Sequence, residues 1–247
     1  MRLAQASLTT GRRTVVTQDP HDASRIIDLL PAWTLSPSGS STGIGAEMLK
    51  MHLSSTNAFL SSGQAIQEAT AEVAQWALDN PDPRFSLNAT DVQVGPALNP
   101  SVTICCGQNY RSHLSEKPPI TQEKPRFFLK QSGQPVGPDD TVTPPADVDK
   151  LDYEVELGIV IGKPTTNVSA DEAWDHIFGY VVTNDITARD WQVQKDADGR
   201  FTYDIGRAKS FNGSLAVGPW LVSKDEVHDP QNLAIETLVD GESRQSG

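Results

Sequence analysis

The stretch Leu151-Asp152-Tyr153-Glu154-Val155-Glu156-Leu157, continuing through Gly158 to Ile161, decides how this chain is read. Its alternation of apolar and acidic residues predicts one long strand from Leu151 to Ile161, closed by Gly162. Successive side chains of a strand point to opposite faces, so Tyr153, Val155, Leu157 and Ile159 share an apolar face. Asp152, Glu154 and Glu156 then fall together on the other face. Like carboxylates about 7 Å apart repel and raise one another's pKa unless a cation sits among them. Such oxygens are hard ligands suited to Mg²⁺, Mn²⁺ or Ca²⁺. The same alternation also describes a half-exposed strand with a solvated acidic face.

A second apolar run, Phe178 to Thr183, leads directly into Asn184-Asp185. Sites are built at strand ends, and Asp185 there is placed to add a third oxygen ligand to Glu154 and Glu156; an Asn-Asp pair after a strand also serves as a turn or helix cap. Val102 to Cys106 reads as a buried strand ending at Gly107. Gly218 to Val222 and Leu233 to Val239 read as two more, the last turning at Asp240-Gly241. Ala170 to His176 is expected to be a short helix capped by Ser169, and Ala188 to Lys195 another. In Gly107-Gln108-Asn109-Tyr110-Arg111-Ser112-His113-Leu114-Ser115-Glu116, one helical turn would bring His113 and Glu116 together. A carboxylate beside an imidazole fixes its orientation and favours its charged form, the arrangement that activates water or protonates a carbanion. Lys130, Arg189, Gln192 and Lys209 are positioned to hold an anionic substrate and the oxyanion it develops, or to serve as ordinary paired surface groups.

Residues 1–99 are chemically quiet and read as a scaffold domain. Their clearest signal is Gln64 to Leu78, where Ile66, Ala69, Val73 and Trp76 recur at helical spacing before Pro81 and Pro83. Ser36 to Gly43 reads as a loop. The 247 residues are 37% hydrophobic and 21% charged, the make-up of a globular protein with a sizeable core. A net charge of −12 argues against nucleic acid or an anionic membrane as partner. With no apolar run near the roughly 20 residues of a membrane span and no secretory h-region, the sequence reads as cytoplasmic. Adjacent Cys105 and Cys106 give neither a disulfide framework nor a multi-cysteine zinc site. Many strands and few helices point to a mixed β architecture within the α+β class.

Taken in order, Gly107-x-Asn109-Tyr110-x-x-His113-x-x-Glu116, Phe127-Phe128-x-Lys130, Leu151 to Leu157 with Val160-Ile161-Gly162-Lys163, Gly179-Tyr180-x-x-x-Asn184-Asp185-x-x-x-Arg189-Asp190-x-Gln192, Ala208-Lys209-Ser210-Phe211 and Leu215-x-x-Gly218-Pro219-Trp220 resemble the fumarylacetoacetate hydrolase superfamily over residues 100 to 247. The resemblance implies a mixed β-roll catalytic core behind a smaller N-terminal domain, a homodimer, and one Mg²⁺ or Mn²⁺ held by Glu154, Glu156 and Asp185. It implies His113 and Glu116 as the acid/base dyad, and Lys209, Gln192 and Arg189 on the substrate's oxygens. Asp152 falls outside that ligand set. The expected activity is hydrolysis of a carbon–carbon bond in an acylpyruvate or 2,4-diketo acid. Decarboxylation of a 2-oxo acid, isomerisation of a 2-hydroxy-diene dioate, a non-catalytic metal-binding homologue and a Ca²⁺-stabilised structural domain are the alternatives. Cys106, Gln108 and Ala208 depart from the family's usual residues. Family chains also continue beyond the strand at Ile235 to Arg244, with a Thr-Gly-Thr-Pro segment near the metal. On this reading either the sequence ending at Gly247 is incomplete or the site lacks a wall.

Overall fold

The computed structural model describes residues 1–110 and 124–247. Its centre is a nine-stranded sheet in the order Leu215–Val217, Ile177–Asp185, Leu221–Ser223, Arg2–Leu8, Arg13–Gln18, Arg25–Asp28 and Ser86–Asn88; Val92–Val94 also pairs with Arg2–Leu8, and Val155–Ile161 with Ile177–Asp185. Residues 1–99 continue this sheet rather than lying beside it, because Arg2 and Leu3 pair with Val222 and Leu221. The strand that ends at Asp185 is therefore two ladders away from the N-terminal strand, and the apolar face of the N-terminal strands supports it.

That support is a helix-covered core. The helix Gln64–Asp79 buries Val73, Ala74 and Ala77, the stripe its periodicity predicts. These residues join Leu3, Val15, Ile27, Trp33, Phe59 and Phe85 in one cluster that also takes in Val181, Leu215 and Leu221 of the C-terminal strands. Ser36 to Gly43 does not remain a loop. Pro37–Ser41 forms a short helix in which the Ser36 side chain accepts the Gly39 amide and Pro37 takes the first turn. Gly39 is required by contact, since a Cβ there would lie 2.1 Å from the Trp33 carbonyl oxygen. Among the described residues, no helix is long and apolar enough to cross a membrane.

Two of the expected elements are divided and a third is shortened. The Leu151 to Ile161 run is broken at Tyr153-Glu154: Leu151–Asp152 pairs with Thr187–Ala188, whereas Val155–Ile161 pairs with Ile177–Asp185. Beyond the break the faces also differ from expectation, with Val160 buried in the core and Ile159 exposed. The strand expected from Gly218 starts only at Leu221, as Leu221–Ser223, and a separate strand, Leu215–Val217, precedes Gly218-Pro219. Ala188 to Lys195 is helical only over Arg189–Gln192 and then becomes the strand Val193–Lys195, paired with Phe201–Tyr203. Ala170–Ala173 forms as expected, with Ser169 and Glu172 in a reciprocal capping box, and continues as a 3₁₀ turn to His176. Asp240 and Gly241 turn the C-terminal hairpin at φ of 53° and 80°, the paired left-handed conformation that a two-residue hairpin requires.

Candidate active site

The strand break brings the acids together. The Glu154 amide donates to the Asn184 side-chain oxygen at 2.8 Å, and the Asp185 amide donates to the Glu154 carbonyl at 2.8 Å. Glu156 lies opposite Thr183 in the adjoining ladder. One oxygen from each of Glu154, Glu156 and Asp185 falls within 4.8 Å of the others. Glu154 and Glu156, which a continuous, isolated strand would have left spread, are thus focused with Asp185 on one point at the end of Ile177–Asp185.

Cations flank that point. The helix Ile205–Lys209, capped by the Asp204 side chain, ends with the Lys209 ammonium donating to Glu154 Oε2 and Asp185 Oδ2, both at 2.7 Å. Arg189 reaches Glu154 Oε1 at 2.6 Å and Asp152 Oδ2 at 2.7 Å. It also donates to Gln192 Oε1 at 2.7 Å, which leaves the Gln192 amide donors for a ligand oxygen. The sequence reading placed Lys130 among the substrate-holding cations; the structure places it elsewhere. Its ammonium is buried and donates to Asp185 Oδ1 at 2.6 Å, to the Lys209 carbonyl at 2.6 Å and to the Ile186 carbonyl at 3.2 Å. All three of its donors are used, so Lys130 holds two site residues in place rather than a ligand. Burial pulls its ammonium below the usual lysine range, against the opposing charge of Asp185.

Glu156 differs from the other two acids, because among the described residues no cation bridges to it. Burial, reinforced by the charges of Asp185 and Glu154, pushes its carboxyl up to about 7. A divalent cation would relieve this repulsion, and an all-carboxylate donor set suits Mg²⁺ or Mn²⁺ better than a thiophilic metal. Glu154, Glu156 and Asp185 therefore fit the expected cofactor. Cys105 adds no thiolate to the set, since burial beside these acids pushes its thiol up to about 12.

The acids open onto a cavity of about 940 Å³, whose lining includes Lys209, Arg189, Gln192, Tyr110, Arg126 and Phe128. The last three were not singled out individually by their sequence context. Tyr110 Oη accepts the Leu157 amide at 2.7 Å and so stands beside Glu156; its aromatic position two residues after Gln108 gave no sign of that contact. His113 and Glu116, expected as the acid/base dyad, lie outside the described residues.

Comparison with known proteins gives the family. The family described as fumarylacetoacetate (FAA) hydrolase C-terminal matches residues 102–247. A mitochondrial oxaloacetate tautomerase from Homo sapiens is 32% identical over 256 residues, covering 97% of this chain and 78% of that protein. One from Xenopus laevis is 35% identical over 179 residues, which is 72% of this chain and 54% of the relative, so the match spans about half of that protein. Fumarylacetoacetate hydrolase from Exiguobacterium antarcticum superposes with a TM-score of 0.70 at 27% identity, covering 100% of this chain and 75% of the other. With more than half its length matched to the family and its fold shared with that hydrolase, the chain belongs to the fumarylacetoacetate hydrolase superfamily.

Proposed function

We propose that this protein is a divalent-metal enzyme that enolises small 2-oxo acids, and that keto–enol interconversion of oxaloacetate is its reaction. The observation that carries the reading is the Lys209 ammonium, shared between Glu154 and Asp185 at 2.7 Å from each and facing the cavity. A buried cation at a cluster of acids is a preorganised partner for an oxygen that gains charge as a proton leaves the adjacent carbon. Glu154, Glu156 and Asp185 would hold a Mg²⁺ or Mn²⁺ ion, which would supply Lewis acidity to the substrate's oxygens. Gln192 offers its amide donors to the same carboxylate, while Arg189 keeps that amide oriented through Oε1. Lys130 fixes Asp185 and the Lys209 backbone, so neither needs to rearrange during the reaction. His113 with Glu116 is the pair to which the sequence motif gives the proton transfer at carbon.

Tautomerisation is preferred to carbon–carbon hydrolysis because it needs only the enolate and one proton shuttle. The curated relatives described above are oxaloacetate tautomerases. Hydrolysis of an acylpyruvate is the second reading, favoured by the likeness to a fumarylacetoacetate hydrolase; it adds attack of an activated water on the distal carbonyl. The protein is also proposed to work as a homodimer.

The test is to follow enol-oxaloacetate by ultraviolet absorbance with purified protein and Mn²⁺, while measuring total oxaloacetate separately. Faster loss of the enol at constant total oxaloacetate is the expected result. Loss of total oxaloacetate with release of carbon dioxide would indicate a decarboxylase, and turnover of acylpyruvate alone would indicate the hydrolase. No turnover of any of them, with Mn²⁺ still bound, would leave a non-catalytic metal-binding homologue.

A further inference from the structure

The strand Arg126–Lys130 runs along the wall of the cavity, paired with Thr103–Gly107. Alternation puts Arg126, Phe128 and Lys130 on one face. Two of the three are fixed against the site: Lys130 bonds to Asp185, and the Phe128 ring lies 5.7 Å from the Lys209 ammonium. Phe127 and Leu129, on the opposite face, are 67% and 63% exposed. Arg126 therefore projects from the site-facing side, two residues or about 7 Å beyond Phe128, and it lines the same cavity. Its partner across the ladder is Gly107, which has no side chain to crowd the guanidinium.

The other cavity cations are engaged, Lys209 with two carboxylates and Arg189 with two. Among the described residues no acid pairs with Arg126, although the chain carries a net charge of −12. A guanidinium presents a planar fork of donors matched to a carboxylate. We infer that Arg126 reads the distal carboxylate of the substrate and makes the cavity selective for dicarboxylic 2-oxo acids; the inference rests on the 2-oxo acid reading above. The 2-oxo acid head lies at the acids and Lys209, and the second carboxylate of a short dicarboxylate extends past Phe128 toward Arg126. Neutral-tailed 2-oxo acids share the head contacts and lack this one.

The experiment compares wild type, Arg126→Gln and Arg126→Lys in the presence of Mn²⁺. It measures kcat/KM for oxaloacetate and for phenylpyruvate, and inhibition by oxalate, which has the head oxygens and no distal carboxylate. Loss of one hydrogen-bonded ion contact predicts that Arg126→Gln lowers the oxaloacetate-to-phenylpyruvate ratio of kcat/KM by about 10- to 100-fold, chiefly through KM. Arg126→Lys should recover part of that ratio, with oxalate inhibition unchanged throughout. An unchanged ratio in Arg126→Gln would overturn the inference, as would an equal loss of oxalate inhibition, which would place Arg126 at the head instead. A wild type that neither turns over any 2-oxo acid nor binds oxalate would overturn the functional reading itself.

Discussion

Before residue 100 the chain removes Trp33, Phe59 and Phe85 from water; after it, the side chains so removed include Lys130, Asp185 and Lys209. Of the twelve largest fully buried side chains among the described residues, all but Leu221 belong to the first region. The two regions share a sheet and an apolar cluster, to which Val181, Leu215 and Leu221 of the second contribute, but among the described residues the buried lysines lie in the second. Apolar burial in the first is worth roughly 25 cal/mol for each Å² withdrawn from water. The buried charges of the second must first offset the cost of leaving water, so a mutual pairing such as Lys130 with Asp185 adds little net stability. What it adds is position. The second region thus adds to a shared apolar core a set of charges held where chemistry needs them.

That contrast can be broken most severely at Trp33. Its ring is buried in the helix-covered core and its indole N–H donates to the Gly39 carbonyl at 3.1 Å. Trp33→Ala should cost about 3–5 kcal/mol in a urea melt, with Mn²⁺ affinity of the folded fraction unaltered. A fall in affinity would show that core and site are not separable. Next in size, Lys209→Met should lower kcat by about 10²- to 10³-fold. If Lys209 were only a carboxylate anchor, KM would rise instead with kcat kept.

A pH experiment sharpens the comparison from the charged side. The Glu156 carboxyl keeps its proton to about 7 in the folded protein against an ordinary 4.5, chiefly because it is buried. Between those values the folded state binds more protons than the unfolded one, so this contribution to stability is complete below 4.5 and lost as pH rises through 7. In the presence of a chelator, Tm should therefore decline across that window, and Glu156→Gln should flatten the decline. A Tm that rises through the window in wild type would contradict the burial of that acid. The smallest effect lies on the surface of the first region: Lys50 and Glu47 form an exposed pair at 2.7 Å, and Glu47→Ala should change stability by no more than about 0.5 kcal/mol.

The sequence revealed the acids better than their supports. Glu154 and Glu156 were legible because strand alternation is local, and Asp185 because a carboxylate ending an apolar run marks a strand terminus. The break at Tyr153-Glu154 was not, since the apolar alternation passes through it and only the exchange of pairing partners interrupts the strand. Lys130 misled for a related reason. A lysine closing a strand reads alike whether its ammonium meets a ligand or an aspartate 55 residues away. The helix Pro37–Ser41 was hidden by a composition that also makes loops, and was decided by a cap and a close glycine contact. Pairing of Arg2–Leu8 with Leu221–Ser223 joins opposite ends of the chain, and no local pattern specifies it.

In the reading proposed here, Glu156 and Asp185 on neighbouring strands and Glu154 in the break before Val155 form one divalent-metal site supported by buried lysines. Isothermal titration of Mn²⁺ into wild type and Asp185→Asn tests it most directly. Asp185 supplies an anionic ligand to a site with three, and its two oxygens also hold Lys130 and Lys209. The account predicts a single site in wild type, with proton release that grows as pH is lowered below about 7 while Glu156 must deprotonate to bind, and no measurable binding in Asp185→Asn. Equal affinity in the two proteins would contradict it.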